Sequence, residues 1–358
     1  MKQRKHTLTI LVFALVLAGG MGLHLLLPDA AVSRSERRKL AQFPAWSETF
    51  SDDLETYLLD QFPLRDGFRT LKSVWSYYVL GQKDNNGVFI EGGSVSKLDA
   101  ELDEKQVQLF VDKFNSLRQT YFPDADAACV IIPDKNYYLT NGENAPRLDY
   151  EALFELVEDG LPWADHVRLT GELDADAYYT TDSHWRQEKR AWVADRLALV
   201  LDLELPDLST YDQTELEDFY GVYYGQAALP MAAEKLVYLE NDVTRSAVVT
   251  GPELEGEQAV YAPEKFGGMD GYDVFLHGAQ AVLTVENPLA ETDRELIVFR
   301  DSFGSALAPL LLPAYRSITL VDLRYVDSNY LDQFVTFDGQ DILILYSTTL
   351  INSAAVLR

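Results

Sequence analysis

Leu296-Ile297-Val298-Phe299-Arg300-Asp301-Ser302-Phe303-Gly304-Ser305 is an apolar run that ends in polar and small residues and leads into a second apolar stretch over 306–312. Four consecutive large apolar residues bounded by turn formers read as a strand buried on both faces, and the stretch beyond reads as a helix. Ser302 therefore stands at a strand-to-helix turn. The first N–H groups of a helix lack intrahelical partners, so a hydroxyl at that point sits beside donors suited to a developing oxyanion. Such a serine is a natural nucleophile if a base reaches it. The plainer alternative is that Asp301 or Ser302 caps the helix.

Around this segment the pattern repeats. Residues 128–132, 166–169, 317–321 and 342–346 join 296–299 as short apolar candidate strands. Val107, Phe110, Val111, Phe114, Leu117 and Tyr121 form a helical stripe, and Trp192, Leu197 and Leu201 with several alanines indicate a long helix between His184 and Asp202. Helices alternating with buried strands from residue 101 onward predict an α/β domain with a mostly parallel sheet flanked by helices. Residues 205–290 are less regular, rich in tyrosine and acids, and read as an insertion beside the site. Within it Tyr220, Tyr223 and Tyr224 surround Gly221 and could stack on sugar rings, although packing is the commoner use of such residues.

The amino-terminal part reads differently. Lys2, Arg4 and Lys5 precede a run over 8–27 that holds no Lys, Arg, Asp or Glu. Twenty helical residues span roughly 30 Å, the thickness of a bilayer's hydrocarbon core. The basic flank predicts a single-pass cell-membrane anchor with residues 28–358 outside the cytoplasm. The competing reading is a cleaved signal peptide, with Ala18 and Gly20 near the cleavage site. Residues 28–100 then read as a juxtamembrane stalk carrying Arg34, Arg37, Arg38 and Lys39, a helical pair broken at Pro63, and a short hairpin after Asn86-Gly87.

Composition narrows the function. With 30 basic against 57 acidic residues among 358, the net charge is −27, which repels a phosphate backbone and argues against nucleic-acid binding. The single cysteine, Cys129, lies in the apolar run 127–132 and reads as a buried small hydrophobe rather than a reactive thiol. No metal-ligand spacing, dinucleotide fingerprint or P-loop occurs, so no metal or cofactor is expected.

Of the five histidines, His6 and His24 belong to the amino-terminal segment, leaving His166, His184 and His277 as candidate bases. His184 follows Asp182 by two residues. In an extended segment the two would share a face, letting the carboxylate orient the imidazole as in a Ser-His-Asp triad. The alternative is an aspartate-capped helix start with a structural histidine.

The D-x-H-W pattern at Asp182, His184 and Trp185, the strand ending in Asp301-Ser302-Phe303, and Asp322-Leu323-Arg324-Tyr325 after a later strand resemble the DHHW proteins of bacterial cell envelopes. These are similar to the alginate O-acetyltransferase proteins with SGNH-hydrolase-like domains. Asp60-Gln61-Phe62-Pro63-Leu64-Arg65, Asn86-Gly87-Val88 and Ile132-Pro133-Asp134-Lys135 fit the same pattern, so the resemblance covers nearly the whole chain. It implies an SGNH-like α/β fold with Ser302 as nucleophile, His184 as general base and Asp182 as its orienting acid. The Ser302 and Gly304 amides would form the oxyanion hole, and Arg324, Trp185 and Tyr224 would contact substrate. For Arg324 the alternative is a surface salt bridge, and Lys135 is a weaker candidate outside the triad.

Two departures stand out. Ser183 occupies the position of the family's first histidine, and the D-x-H precedes the serine by more than a hundred residues, a permuted order relative to ordinary SGNH hydrolases. The implied activity is an acyl, first of all acetyl, transferase or esterase acting on an envelope polysaccharide. A transferase would need a multi-spanning partner to deliver the acyl donor. The rival expectation is a non-catalytic glycan-binding or assembly scaffold, which a Ser302–His184 separation of more than about 5 Å, blocked from closing, would support.

Overall fold

The computed structural model describes residues 2–358 apart from 34, 144 and 172; the side chains at 2–5, 8, 9, 16 and 25 also lie outside the described set. Arg34 and the side chains of Lys2, Arg4 and Lys5, which contribute to the expected basic flank and stalk, fall there. The chain divides into two compact units, residues 1–86 with 224–231 and residues 87–223 with 232–358.

The first unit contains α1 (Lys2–Leu26), α2 (Phe50–Asp60) and α3 (Arg65–Val74), the last running on into a π-helical turn over Trp75–Val79. The expected helical pair is present, with Pro63 between its members because proline cannot continue a helix interior. Among the described residues no helix is long and apolar enough to cross a membrane. The anchor over 8–27 therefore stands on the sequence run alone.

The second unit opens with a hairpin of β1 (Val88–Glu91) and β2 (Ser94–Ser96). The Val95 amide donates to Thr180 O at 2.8 Å and Asn136 Nδ2 donates to Lys97 O at 2.5 Å, so the hairpin is tied into this unit. There follow α4 (Glu104–Tyr121), β3 (Ala127–Ile132), α5 (Tyr150–Gly160), β4 (Asp165–Arg168) and α6 (Ala191–Val200). Beyond them come β5 (Asp212–Phe219), β6 (Glu234–Glu240), β7 (Val248–Thr250), β8 (Val282–Glu286), β9 (Glu295–Arg300), α7 (Gly304–Leu311), β10 (Ser317–Val321) and β11 (Asp341–Ser347).

Among the described residues the main sheet has seven strands in the order β7-β8-β10-β9-β11-β3-β4. All five strands expected from the apolar runs form its parallel block, while β7 and β8 add an antiparallel edge. Strand β3 shows why these runs are continuously apolar: Ala128, Val130 and Ile132 face one core, and Ala127, Cys129 and Ile131 face the other. Burial pushes the Cys129 thiol up to about 12, as befits a packing residue.

The connection from β9 through α7 to β10 covers one face, and that from β3 through α5 to β4 covers the other. Right-handed crossovers that move in opposite directions across a sheet must use opposite faces. The carboxyl ends of β9, β11 and β3 thus meet where the connections diverge, the place where open α/β sheets bind ligands.

Two expectations need correction. Residues 205–290 are not an irregular insertion: they form the antiparallel pair β5–β6 and supply β7 and β8 to the main sheet. Acids at positions 212, 215, 217 and 218 hide the strand pattern, because β5 is largely exposed. The helix expected between His184 and Asp202 is only ten residues long, preceded by a 3-10 turn at Gln187–Lys189.

Candidate active site

Ser302 leaves β9 at the turn expected from the sequence; neither Asp301 nor Ser302 caps α7, whose N-cap is Phe303, and Asp301 braces the turn instead. The buried Asp301 carboxylate accepts the Phe303 N–H through Oδ1 at 3.1 Å and the Ser347 N–H through Oδ2 at 2.9 Å, locking the turn to the end of β11. Ser302 Oγ lies 2.7 Å from His184 Nε2. Gly304 is required just beyond: a Cβ there would come within 2.8 Å of Arg300 Cβ.

Asp182 and His184 face one another through a tight turn rather than an extended segment. The turn is closed by the Tyr178–Trp185 bridge and by the Tyr179 N–H donating to His184 O at 3.1 Å. Asp182 Oδ1 accepts the His184 N–H at 3.0 Å and His184 Nδ1–H at 2.6 Å, while Oδ2 accepts the Val222 N–H at 2.8 Å. A carboxylate only accepts, so the proton sits on Nδ1 and the Nε2 lone pair faces the serine hydroxyl. Burial opposes charging the imidazole, but the Asp182 carboxylate, by its charge and hydrogen bond, with Asp270 and Asp301 nearby, raises the His184 pKa above its usual value. Tyr272 stacks on the ring at 3.9 Å between centroids and an 8° interplanar angle, fixing its plane.

Three supports, Lys135, Gly221 and Tyr272, are missed or undervalued in the sequence. Lys135, fully buried at the end of β3, donates its three ammonium hydrogens to Tyr179 O, Thr180 O and Asp182 O at 2.8, 3.1 and 2.7 Å. It holds the backbone of the loop that carries Asp182 and His184. Burial pushes its pKa down to about 7 against the pull of Asp182. Gly221 lies so close to Thr181 and Asp182 that any Cβ would overlap them. Its N–H donates to Thr181 Oγ1 at 2.8 Å, which brings the Val222 amide to the Asp182 carboxylate. Nothing in the sequence around Gly221 signals this; Lys135 at least followed a buried strand. Tyr272 was invisible because it lies in the segment read as irregular.

Ser302 opens onto a cleft of about 200 Å³ shared with Lys97, Ser183, Tyr223, Thr349 and Arg324. Arg324 is fixed by its Nε and one terminal nitrogen donating to the buried Asp322 carboxylate at 2.9 and 2.6 Å. Its salt bridge is thus to a buried carboxylate rather than at the surface, and the residue lines the cleft. Asp322 is also 3.6 Å from the buried Arg300 guanidinium.

Three expected site residues are placed elsewhere. Trp185 is fully buried and donates Nε1–H to Phe303 O at 3.1 Å, so it ties the histidine loop to the serine turn and has no surface for substrate. Tyr224 lines a separate cleft of the first unit with Ser35, Asp66 and Arg69; Tyr223 lines the Ser302 cleft instead. The Gly304 N–H donates to Asp301 O at 3.1 Å within the turn, which removes it from the oxyanion hole. Among the described residues the Ser302 N–H is the amide of this turn left without a partner. Among the described residues no group of three or more His, Cys, Asp or Glu side chains could hold a metal ion.

The class defined by this arrangement is a doubly wound α/β protein with a Ser-His-Asp hydrogen-bonded chain at the carboxyl edge of its parallel strands. Solved structures agree with the fold of that class. In fold the chain is similar to a DHHW family protein from Eubacterium siraeum, with a TM-score of 0.62 at 17% identity, over 76% of this chain and 94% of that one. It is likewise similar to PatB1 of Bacillus cereus, with a TM-score of 0.58 at 13% identity over 74% of this chain and 96% of that one. PatB1 with a sulfonyl adduct matches at a TM-score of 0.60 and 15% identity, over 75% and 96% of the two chains. No protein-family model and no curated protein matches the chain. At these identities the likeness establishes the fold, the one that the DHHW resemblance implies.

Proposed function

We propose that this protein is an acyltransferase or esterase, with acetyl the first group to test, that acts on a cell-envelope polysaccharide. The observation that carries the reading is the 2.7 Å approach of His184 Nε2 to Ser302 Oγ, backed by the 2.6 Å contact to Asp182. His184 accepts the Ser302 hydroxyl proton as Oγ attacks the acyl carbonyl, and the imidazolium is stabilised by Asp182. The tetrahedral oxyanion is met by the Ser302 N–H and the fixed positive charge of Arg324. His184 returns the proton to the leaving oxygen, an acyl-serine remains, and a sugar hydroxyl or water deprotonated by His184 then resolves it. The hydrolase and transferase versions differ only in the acceptor.

Residues 8–27 would anchor the chain to a cell membrane with residues 28–358 outside, a reading supported by the uncharged run and its basic flank. Transfer from a donor inside the cell would then call for a multi-spanning partner, because one helix offers no channel. A Ser302–His184 separation beyond about 5 Å and blocked from closing would have supported the scaffold alternative; the 2.7 Å contact supports the enzyme instead.

The test is turnover of p-nitrophenyl acetate by the full chain in detergent, comparing wild type with Ser302→Ala and His184→Ala. Both variants should lose turnover by about 1,000-fold or more. Undiminished turnover in Ser302→Ala would remove the serine from its role. A sulfonyl fluoride, chosen because PatB1 is known with a sulfonyl adduct, should modify Ser302 in wild type and not in His184→Ala.

A further inference from the structure

Helix α3 is inside out, and α2 exposes two leucines beside a buried aspartate. On α3 and its π-helical continuation, Ser73 and Ser76 are buried at 0% and 7% exposure, whereas Leu71 and Trp75 are 63% and 57% exposed. Phe68, Leu71, Trp75 and Tyr78 recur at helical spacing along one exposed stripe. Ser73 Oγ accepts from Asn85 and Asn86 side chains at 3.0 and 3.1 Å, so the polar face is the one held by the protein. On α2, Asp60 is buried in an ion pair with Arg38 while Leu58 and Leu59 are exposed. Phe62 extends the apolar surface by packing its ring against Phe68 at 5.7 Å. Contiguous apolar exposure of this kind marks a contact with something other than water.

The hydrogen bonds say where that surface lies. His24, in the last turn of α1, donates Nδ1–H to Gln61 O at 3.2 Å, and the Ala30 N–H donates to Gln61 Oε1 at 2.9 Å. The next residue is Phe62. Described apolar side chains of α1, Ile10, Leu11, Val12, Phe13, Leu15 and Leu17 among them, are exposed around that helix as well. The stripe is therefore continuous with the end of the candidate anchor, and it carries the aromatic residues, Trp75 and Tyr78, that favour the boundary of a bilayer. Exposed Lys72 lies beside the apolar positions of α3, its ammonium on Asn86 Oδ1 at 2.6 Å, whereas Arg65 and Arg69 turn to Glu36 in ion pairs of 2.7 and 3.3 Å.

We propose that the α2–α3 pair is an interfacial lipid-docking platform, its Leu59, Phe62, Phe68, Leu71, Trp75 and Tyr78 side chains set into the headgroup boundary of the membrane. It rests on the anchor reading for its placement at a bilayer, yet it requires no second span: the pair lies along the surface as an amphipathic element does. Two signals, one helix and one platform, would fix the first unit against the bilayer rather than leave it on a flexible stalk.

The experiment uses the full chain reconstituted into vesicles of phosphatidylcholine and phosphatidylglycerol. Single cysteines are introduced by Leu71→Cys, Leu15→Cys and Lys105→Cys and labelled with a fluorophore; buried Cys129 is left in place, with unlabelled wild type as blank. Quenching by lipids with a nitroxide near the top of the acyl chain should be at least about twofold stronger at Leu71→Cys than at Lys105→Cys, an exposed position of α4. Leu71→Cys reading like Lys105→Cys while Leu15→Cys is quenched overturns the platform and leaves the anchor standing. Quenching at Leu71→Cys without quenching at Leu15→Cys sinks the anchor and keeps the platform. Protection of Leu71→Cys from aqueous quencher without lipid quenching means that a second copy or another protein covers the face, and the lipid proposal fails.

Discussion

His184 Nε2 and Ser302 Oγ are 118 residues apart in the chain and 2.7 Å apart in the structure. They meet because the serine turn and the histidine loop are independently fastened: Asp301 locks the former to the end of β11, and Lys135 fastens the latter to the end of β3. Since β11 and β3 are adjacent parallel strands, both fastenings refer to one rigid edge. That arrangement makes the site's behaviour sensitive to residues that never touch a substrate.

Asp182→Asn tests the electrostatics. His184 acts as a base only when neutral, so activity rises with pH through its pKa and is lost below it; a pKa raised above 6.5 places that limb above the ordinary histidine range. With the charge gone, burial dominates and the limb moves to lower pH, while kcat falls on the order of 1,000-fold or more. A pH–kcat profile whose limb does not move would mean that His184 is not the titrating base.

Lys135→Met leaves three buried carbonyls without a donor and should lower stability by about 3 kcal/mol together with kcat. The pH dependence has a definite sign. Burial lowers the lysine from 10.5 to about 7 in the fold, so the unfolded chain binds more protons between those values. Wild-type stability should thus rise relative to Lys135→Met from about pH 7 upward, the buried charge costing most below it. Urea unfolding of both proteins at about pH 6 and about pH 9 reads this difference, and parallel curves would contradict it.

Gly221→Ala places a methyl group against Thr181 and Asp182, whereas Gly267→Ala meets nothing within 4 Å. The first should cost about 1–3 kcal/mol and displace the Asp182 carboxylate, cutting kcat at least about tenfold; the second should do neither. Thermal melting with parallel kinetics separates them, and indistinguishable variants would show that the aspartate loop is not held by this close approach.

Trp185→Phe removes the bond to Phe303 O without opening a large cavity. We expect a stability loss of about 1–3 kcal/mol with KM unchanged. A raised KM at unchanged melting temperature would return Trp185 to the substrate surface.

The parallel strands were legible from residue order because strands buried on both faces need uninterrupted apolar runs, as at 127–132 and 296–299. Ser302 was legible for a local reason too, a hydroxyl where such a run turns into a helix. Strand β5 was not, since an exposed strand can carry acids at most positions. Asp182 and His184 were paired by the right spacing for the wrong reason: their facing comes from a turn closed by the Tyr178–Trp185 bridge. The functions of Lys135, Gly221, Tyr272 and Trp185 are defined by neighbours far along the chain. Local pattern therefore settles which residues can be buried strand, helix or turn, because those preferences act over a few residues. Which polar groups face one another across the strand ends is settled by packing of the whole sheet, because hydrogen bonds at about 3 Å depend on positions that no short stretch of chain controls.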